Sequence, residues 1–426
     1  MIQVPGHSVI EKIGSGAYGS VYRTVSHENI FYAIKTHKIT THVIHQHTLC
    51  ELNALTVLSH PGIVRLHDIQ VRDDTIYSHM DYVKSNLSTY IHRCYIRDTD
   101  IKGILIQLLD VIAYCHHNHF AHRDLKPDNI LITSTNNLRL CDFGTCKRED
   151  SMDSMVGISC TYCYASPEVL RLESYDGIAL DMWSIGCIFA EMLTRRVLYL
   201  DDNPDTVLDL IKSTNIDSTT FPMLCEDGLD LLQSFLTQDS TKRITAVEAL
   251  YHPYFKGFDK PQRFYGIRPY RDKIPCPNYS EIVDDIFEIG RRFKVRLSVI
   301  FLGIELLGYL QNPCPKACIS LAQKYSDGSI LEGCQDREIE TLQELGFRVW
   351  HTTVYDCYEE STKIDINQVI FLMFLCMRDH RCCVMKPEDL YALISETLTP
   401  GCVPSPSIEN ILTIHRESRI FRFFYE

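Results

Sequence analysis

A short run of polar residues near the middle of the chain constrains its fold and chemistry more than any other feature. Residues 121–129, AHRDLKPDN, are followed closely by residues 141–144, CDFG. Asp124 can accept the proton of a hydroxyl, while Asn129 and Asp142 offer the oxygen ligands that Mg²⁺ prefers. Phosphoryl transfer needs an acceptor hydroxyl in line with the γ-phosphate and metal ions that neutralise the phosphates. The order and spacing of the two motifs make a chance coincidence the weaker interpretation.

Both motifs resemble the catalytic core of eukaryotic-type protein kinases, and the resemblance runs from about residue 9 to about residue 255. It implies an α+β, two-lobed kinase fold. The predicted N-lobe spans residues 1–83 and the predicted C-lobe spans residues 84–260.

The resemblance assigns roles to the motif residues. Asp124 is expected to orient the substrate hydroxyl, Lys126 to face the transferred phosphoryl group, and Asn129 and Asp142 to hold Mg²⁺. A lysine two residues after the catalytic aspartate is typical of serine/threonine kinases. The expected partner is therefore a protein substrate with a Ser or Thr acceptor.

A glycine-rich segment, GSGAYGSVY, follows the first predicted strand at residues 14–22. Its glycines allow the backbone to lie close over phosphates. The GxGxxG pattern is shared with dinucleotide-binding folds, but here strand residues follow it and no helix opens, which disfavours that alternative. The resemblance implies ATP as the cofactor. The predicted contacts in this segment are Ile13, Gly14, Ser15, Gly16, Ala17, Tyr18, Gly19, Ser20 and Val21.

The remaining nucleotide contacts are predicted on the next strands. Lys35 ends the apolar run 31–35 and is expected to reach the α- and β-phosphates. A buried lysine needs an acidic partner, and Glu51 fits because it lies among apolar residues with helical spacing. The alternative for Glu51 is an ordinary surface glutamate. The resemblance further implies that Met80 stands behind the adenine and that the backbone from Asp81 to Val83 binds it.

Four further residues receive structural roles from the resemblance. Thr161 is expected to bond the catalytic aspartate and lysine. Glu168 is expected to pair with Arg243, and Asp181 to anchor the catalytic loop from a buried helix.

Four stretches resemble the cyclin-dependent kinase subfamily, at residues 16–19, 58–64, 183–192 and 194–196. In that subfamily the tyrosine of the glycine loop is an inhibitory phosphorylation site, and Tyr18 occupies this place. A phosphate there would repel those of ATP.

The activating phosphorylation site of that subfamily is altered here. Val156 stands where the subfamily carries its activating threonine. Of the three arginines that grip the phosphate, Arg123 is kept, whereas Cys50 and Lys147 replace the other two. A clamp without its anion is a cluster of like charges, so losing both together is physically coherent. We therefore predict activity without activation-loop phosphorylation.

Two details of the activation segment, which is predicted to run from Asp142 to Glu168, leave alternatives open. Ser154 and Ser159 are alternative phosphorylation sites in this segment. Cys163 and Ala165 replace the Trp and Arg that the subfamily usually carries in the surface that binds the substrate. It therefore stays open whether the protein prefers a Pro after the target Ser or Thr.

The C-terminal region predicts a linker at residues 261–279 and an all-α domain at residues 280–426. The linker prediction rests on its prolines and on the lack of apolar periodicity. Apolar residues at helical spacing predict helices at 282–293, 297–310, 317–325, 337–345, 366–377 and 387–397.

This helical region resembles a cyclin box. Residues 287–295, 317–325 and 338–347 resemble its first helix and the two segments that carry its conserved lysine and glutamate, so Lys324 and Glu338 map onto that pair. The gap between them is shorter than in ordinary cyclins, so one helix is missing or reduced. A generic helical domain is the alternative.

The cyclin resemblance implies a kinase fused to its own activator, with an intramolecular contact between the kinase and the cyclin-like domain. Two alternatives differ in class. One is a pseudokinase scaffold, and the other is a kinase whose C-terminal domain only recruits partners.

Composition limits the other partners. The net charge of -13 argues against nucleic acid as a partner, because binding nucleic acid needs clustered Lys and Arg.

The eighteen cysteines show no regular framework and predict free thiols in a reducing compartment. The CxxC at residues 160–163 is interpreted as a coincidence. No apolar run is long enough to span a bilayer, and the first six residues lack a signal pattern. The expected location is intracellular, cytoplasmic and/or nuclear, with no membrane partner.

Overall fold

The computed structural model divides the chain into two compact units. The first comprises residues 1–38 and 50–268, and the second comprises residues 39–49 and 269–426. The predicted linker at 261–279, except for its last residue, and the predicted helices at 366–377 and 387–397 lie outside the described residues; Tyr279 is the first residue of a helix. The structure describes residues 4, 6–16, 19–39, 44–93, 96–148, 161–260, 279–307, 309–310, 314–327, 330, 334, 337–345 and 348–349.

The N-lobe of the first unit contains a five-stranded antiparallel sheet in the order β1-β2-β3-β5-β4. The register pairs Val21 with Lys35 and Lys35 with Ser78, so the strand that leaves the glycine loop lies beside Lys35. The strands are β1 (His7–Gly16), β2 (Gly19–Ser26), β3 (Phe31–Lys38), β4 (Leu66–Arg72) and β5 (Thr75–Asp81).

Helix α1 (Gln46–Val57) follows β3 and carries Glu51. Its residues with helical spacing, among them Leu49, Leu52 and Leu55, are fully or almost fully buried. The turn after the helix joins the N-lobe to the C-lobe, because the Leu140 N–H donates to Gly62 O at 2.7 Å.

The C-lobe is mainly helical and encloses a small sheet in the order β6-β8-β9. Its long helices α3 and α5 bury apolar side chains such as Trp183 and Phe189. The Asp176 carboxylate caps α5 by accepting from the Ile178 N–H at 2.9 Å. The elements are β6 (Ser85–Asn86), α2 (Leu87–Arg93), α3 (Asp98–His117), β7 (Phe120–Ala121), β8 (Ile130–Ile132), β9 (Leu138–Leu140), β10 (Lys147–Arg148), α4 (Pro167–Leu170), α5 (Gly177–Thr194), α6 (Pro204–Ser213), α7 (Glu226–Phe235) and α8 (Ala246–Leu250).

Helix α5 is long and apolar enough to cross a membrane by length and composition. However, most of its residues are buried inside the first unit, which is the position of a core helix. The described cysteines are all free thiols, as the sequence predicts for this part of the chain.

The described part of the second unit is helical, in agreement with the four sequence-predicted helices that lie within it. Helix α10 packs closely on α11, because a Cβ on Gly303 would lie 3.3 Å from the Cα of Ile319. The helices are α9 (Tyr279–Arg292), α10 (Leu297–Leu307), α11 (Pro315–Asp327) and α12 (Glu338–Glu344).

Candidate active site

A lysine on the sheet and a glutamate on helix α1 form an ion pair, as predicted. Lys35 Nζ lies 2.8 Å from Glu51 Oε1 and 2.9 Å from Asp142 Oδ1. Glu51 is buried, so the pair satisfies a charge that would be costly to leave alone. The three side chains come from β3, α1 and the segment after β9, and they meet at one point.

The electrostatics of this cluster keep Lys35 and Asp142 charged. Burial alone would lower the pKa of the Lys35 ammonium, but Glu51 and Asp142 outweigh burial and raise it above its ordinary value. Burial would raise the pKa of Asp142, but the adjacent Lys35 outweighs this and holds it below its ordinary value. A cation and an anion are therefore present together at neutral pH, as the binding of phosphates and a metal ion requires.

A buried histidine, which the sequence analysis did not single out, lies beside the pair. His37 Nε2 lies 3.2 Å from Ser78 Oγ and 4.0 Å from Glu51 Oε2. Burial, assisted by the charge of Lys35, lowers the pKa of His37 to about 3. His37 is therefore neutral at physiological pH, and Lys35 is the cation that balances Glu51.

The glycine loop has one position where only glycine fits. A Cβ on Gly19 would lie 1.9 Å from the carbonyl oxygen of Thr36, whereas one on Gly16 would meet nothing within 4 Å. Gly19 thus allows β2 to pair closely with β3 where Lys35 projects. The other predicted loop contacts described by the structure are Ile13, Gly14, Ser15, Ser20 and Val21, all on β1 or β2.

The predicted adenine contacts lie at the end of β5. Met80 is buried and pairs with Ala33 of β3. The Asp81 N–H donates to Arg65 O at 3.2 Å, so Asp81 would contact an adenine through its carbonyl oxygen. Val83 follows the strand and is half-buried.

The catalytic loop brings together the predicted aspartate, lysine and threonine. Lys126 Nζ lies 2.7 Å from Asp124 Oδ2 and 2.9 Å from Thr161 Oγ1. The Thr161 hydroxyl and N–H both donate to Asp124 Oδ1, at 3.0 and 3.2 Å. The carboxylate of Asp124 is therefore held in a defined orientation by Lys126 and Thr161.

The two predicted metal ligands suit a hard cation. The Asn129 amide nitrogen donates to the Asp124 carbonyl oxygen at 2.8 Å, which leaves the amide oxygen as the potential ligand. Asp142 has a left-handed backbone with φ of 62° and an ionised carboxyl. Among the described residues there is no cluster of three or more His, Cys, Asp or Glu that could hold a metal. Two oxygen ligands fit Mg²⁺, which keeps several waters and is seldom enclosed by protein alone.

The loop is anchored from helix α5, as predicted for Asp181. The two carboxylate oxygens of Asp181 accept from the N–H groups of His122 and Arg123, each at 2.8 Å. The predicted pair of Glu168 and Arg243 is also present, with Nη1 2.8 Å from Oε1. Both anchors are buried.

Some predicted residues lie outside the described part of the chain, and some contacts were missed. Ala17, Tyr18 and Val156 fall outside the described residues, so the predictions for them stay predictions. The sequence analysis did not find the contact between Arg123 and Tyr175, because nothing in a single sequence links a tyrosine to an arginine fifty-two residues away.

Together, the sheet-rich lobe, the helical lobe and the charged groups between them define a phosphotransferase of the protein kinase type. The model of the protein kinase domain family matches residues 7–255 of the chain. The chain therefore belongs to the protein kinase family, whose members use ATP and Mg²⁺ and act on proteins.

A curated relative gives a more specific class. The chain is 31% identical over 309 residues to the serine/threonine-protein kinase ppk23 of Schizosaccharomyces pombe, an alignment that covers 63% of this chain and 78% of the relative. Together with the lysine at position 126, this relative assigns the protein as a serine/threonine protein kinase.

Proposed function

We propose that the protein binds MgATP and transfers the γ-phosphate to a Ser or Thr hydroxyl through the residues of the candidate site. The observation that carries this proposal is the shared position of Asp124, Lys126 and Thr161. Asp124 accepts the hydroxyl proton and orients the attacking oxygen. Lys126 offsets the negative charge that develops on the transferred group.

The remaining residues hold the nucleotide. Lys35 is fixed by Glu51 and would contact the α- and β-phosphates, and the backbone of the glycine loop would cover them. Met80 limits the depth of the adenine pocket. Asn129 and Asp142 would hold Mg²⁺, which neutralises the phosphates when bound.

We further propose that the kinase is of the cyclin-dependent type and is activated in cis by its C-terminal region. The first support is the composition of the second unit, which includes residues 39–49 and hence the first turn of helix α1. Within this unit the Gln46 side-chain amide donates to Tyr325 O at 3.4 Å. The same helix continues to Glu51, so a group that fixes its first turn favours the pairing of Glu51 with Lys35.

The second support is an ion pair inside the helical region. Lys324 Nζ lies 2.5 Å from Glu338 Oε2, both side chains are almost fully buried, and Ser320 Oγ donates to Glu338 Oε1 at 2.6 Å. The sequence analysis paired these two residues by their likeness to the cyclin lysine and glutamate. Tyr325, which accepts from Gln46, directly follows Lys324. The pair therefore orders the end of α11 that the first turn of α1 contacts.

Cis activation predicts that activity becomes concentration-dependent once the chain is cut. A protease site inserted between residues 268 and 269 would leave the folded chain intact until cleavage. Tethering supplies an effective concentration of ~1 mM. The cut protein should therefore be more than about 10-fold less active than the intact chain at ~10 nM, and its activity should be restored at ~10 µM. Kinase assays across this range, before and after cleavage, test the expectation.

The control for this experiment is the same insertion with a scrambled protease site. Its specific activity should not change with dilution or with protease. Undiminished activity of the cut protein at ~10 nM would contradict cis activation and would favour a C-terminal region that only recruits partners.

We also propose that activity needs no phosphate on the activation segment. Arg123 is held without a phosphate, and Cys50, which replaces a clamp arginine, is buried. Treatment of the purified chain with a broad phosphatase is expected to leave the turnover number within about 2-fold of that of the untreated chain. The reason is that tertiary contacts order the segment, and a phosphatase does not remove them. A radiolabelled peptide assay measures it. Loss of activity on treatment would contradict the proposal and direct attention to Ser154 and Ser159.

We propose an intracellular location, in the cytoplasm and/or nucleus, on the support of the free thiols among the described cysteines.

A further inference from the structure

The side chain of Arg123 is held by a phenol oxygen. Its Nε and Nη2 atoms both donate to Tyr175 Oη, with Nε 3.2 Å from that oxygen. Its Nη1 atom lies 3.5 Å from Thr145 O. Two guanidinium donors therefore converge on one oxygen, so the phenol satisfies hydrogen-bond donors that arginine otherwise directs at a carboxylate or phosphate.

The neighbouring side chain of Cys50 does not supply a charge to this group. Burial raises the pKa of the Cys50 thiol to about 11, against the opposing charges of Lys147 and Arg123. The thiol is therefore neutral at physiological pH. The Cys50 thiol can neither bind a phosphate together with Arg123 nor balance the charge of Arg123. The Tyr175 oxygen is therefore a more important acceptor for Arg123 than the Cys50 thiol is.

Tyr175 is well placed to fix Arg123. It is buried, and it directly precedes the Asp176 cap of helix α5. The same helix provides Asp181, whose Oδ1 accepts from the Arg123 N–H at 2.8 Å. The backbone of Arg123 is thus held by helix α5, and its side chain is held by a buried residue just before that helix.

The backbone of Arg123 has a conformation that must be held by its surroundings. Arg123 has a left-handed conformation with φ of 69°, which non-glycine residues rarely adopt and which persists only where the surroundings hold it. Asp124 is the next residue, so the direction of its carboxylate depends on this conformation. A hydrogen-bonded side chain at position 123 therefore stabilises the aim of the catalytic carboxylate.

We infer that Tyr175 is a positioning residue that replaces an activation-segment phosphate by holding Arg123, and through it Asp124, in the working arrangement. This inference rests on the proposed phosphorylation-independent kinase activity. A phenol is a permanent part of the chain, so no phosphatase can remove this support.

The test is Tyr175→Phe in the full chain, which keeps the ring and removes the two hydrogen bonds. We expect kcat to fall about 10-fold and the KM for ATP to change less than about 2-fold, because hydrogen bonds to a charged group are lost outside the nucleotide site. Tyr199→Phe is the matched control, since it removes another buried phenol of the C-lobe. It should keep wild-type kcat, and thermal unfolding should show both variants folded.

A double-mutant cycle separates positioning from general stability. In an Arg123→Met background, Tyr175→Phe should cause no further loss of kcat, since its effect acts through Arg123. The inference would be overturned if the fold-loss of kcat in the double variant equalled the product of the losses in the two single variants. Wild-type kcat in Tyr175→Phe alone would also overturn it. Inactivation of the wild-type chain by phosphatase would instead overturn the phosphorylation independence on which it rests, so the two failures are distinguishable.

Discussion

Replacing Asp124 by Asn is expected to lower kcat by about 10³-fold, which corresponds to about 4 kcal/mol of transition-state stabilisation. Asn has the same shape, so it can still accept a hydrogen bond from Thr161, which donates to Oδ1 at 3.0 Å in the wild type. It cannot accept the proton of the acceptor hydroxyl. The KM for ATP should change little, because the nucleotide contacts lie elsewhere. Steady-state assays with a Ser/Thr peptide library, run over a range of MgATP concentrations up to saturation, measure both constants.

A neighbouring aspartate provides the matched control. Asp128 lies in the same loop but is exposed, and its described polar partner is the Asn86 amide at 3.3 Å. Asp128→Asn removes the same charge and should keep kcat within a few-fold of wild type. If Asp124→Asn also retained most of its turnover, the assigned role of that carboxylate would be wrong. A wild-type chain that consumed no ATP would favour the pseudokinase scaffold.

The parts of the site that the sequence predicts are those whose chemistry requires particular residue types at close spacing. Asp124 and Lys126 are two residues apart, and their contact needs only a short loop. The pairing of Lys35 with Glu51 could be predicted from a different argument, because a buried cation demands an anion and a helix of apolar spacing supplied one.

The parts that the sequence could not predict depend on tertiary packing between residue types that have many other uses. Tyr175 resembles any other core tyrosine until the fold places its hydroxyl at Arg123. The neutral state of His37 follows from burial, which a strand pattern alone does not quantify. The grouping of residues 39–49 with the C-terminal region is likewise a property of long-range contacts. Local pattern identifies chemistry that is adjacent in sequence, whereas the supports of that chemistry come from distant elements.

The buried pair of Arg243 and Glu168 leads to the largest expected effect on stability. Arg243 is fully buried and donates to Glu168, to Ala179 O at 2.7 Å and to Thr237 O at 3.1 Å. Arg243→Met fills much of the same volume but leaves the Glu168 carboxylate buried without its cation. We expect a loss of about 3–5 kcal/mol in the free energy of unfolding, the usual cost of breaking a buried pair by removing one partner. Urea denaturation followed by circular dichroism measures it.

Two further variants determine whether the uncompensated charge causes the loss. Removing that charge as well, in the double variant Glu168→Gln with Arg243→Met, should recover part of the stability, because a neutral amide is less costly to bury than a carboxylate. Lys212→Met breaks the exposed pair with Asp209, which lies at 3.0 Å, and should change stability little. If Arg243→Met and Lys212→Met lowered the free energy of unfolding by the same small amount, the buried pair would not stabilise the activation segment.

Helix α4, which contains Glu168, follows Thr161 in the activation segment. Loss of the pair with Arg243 should therefore also lower kcat under conditions in which the protein is still folded.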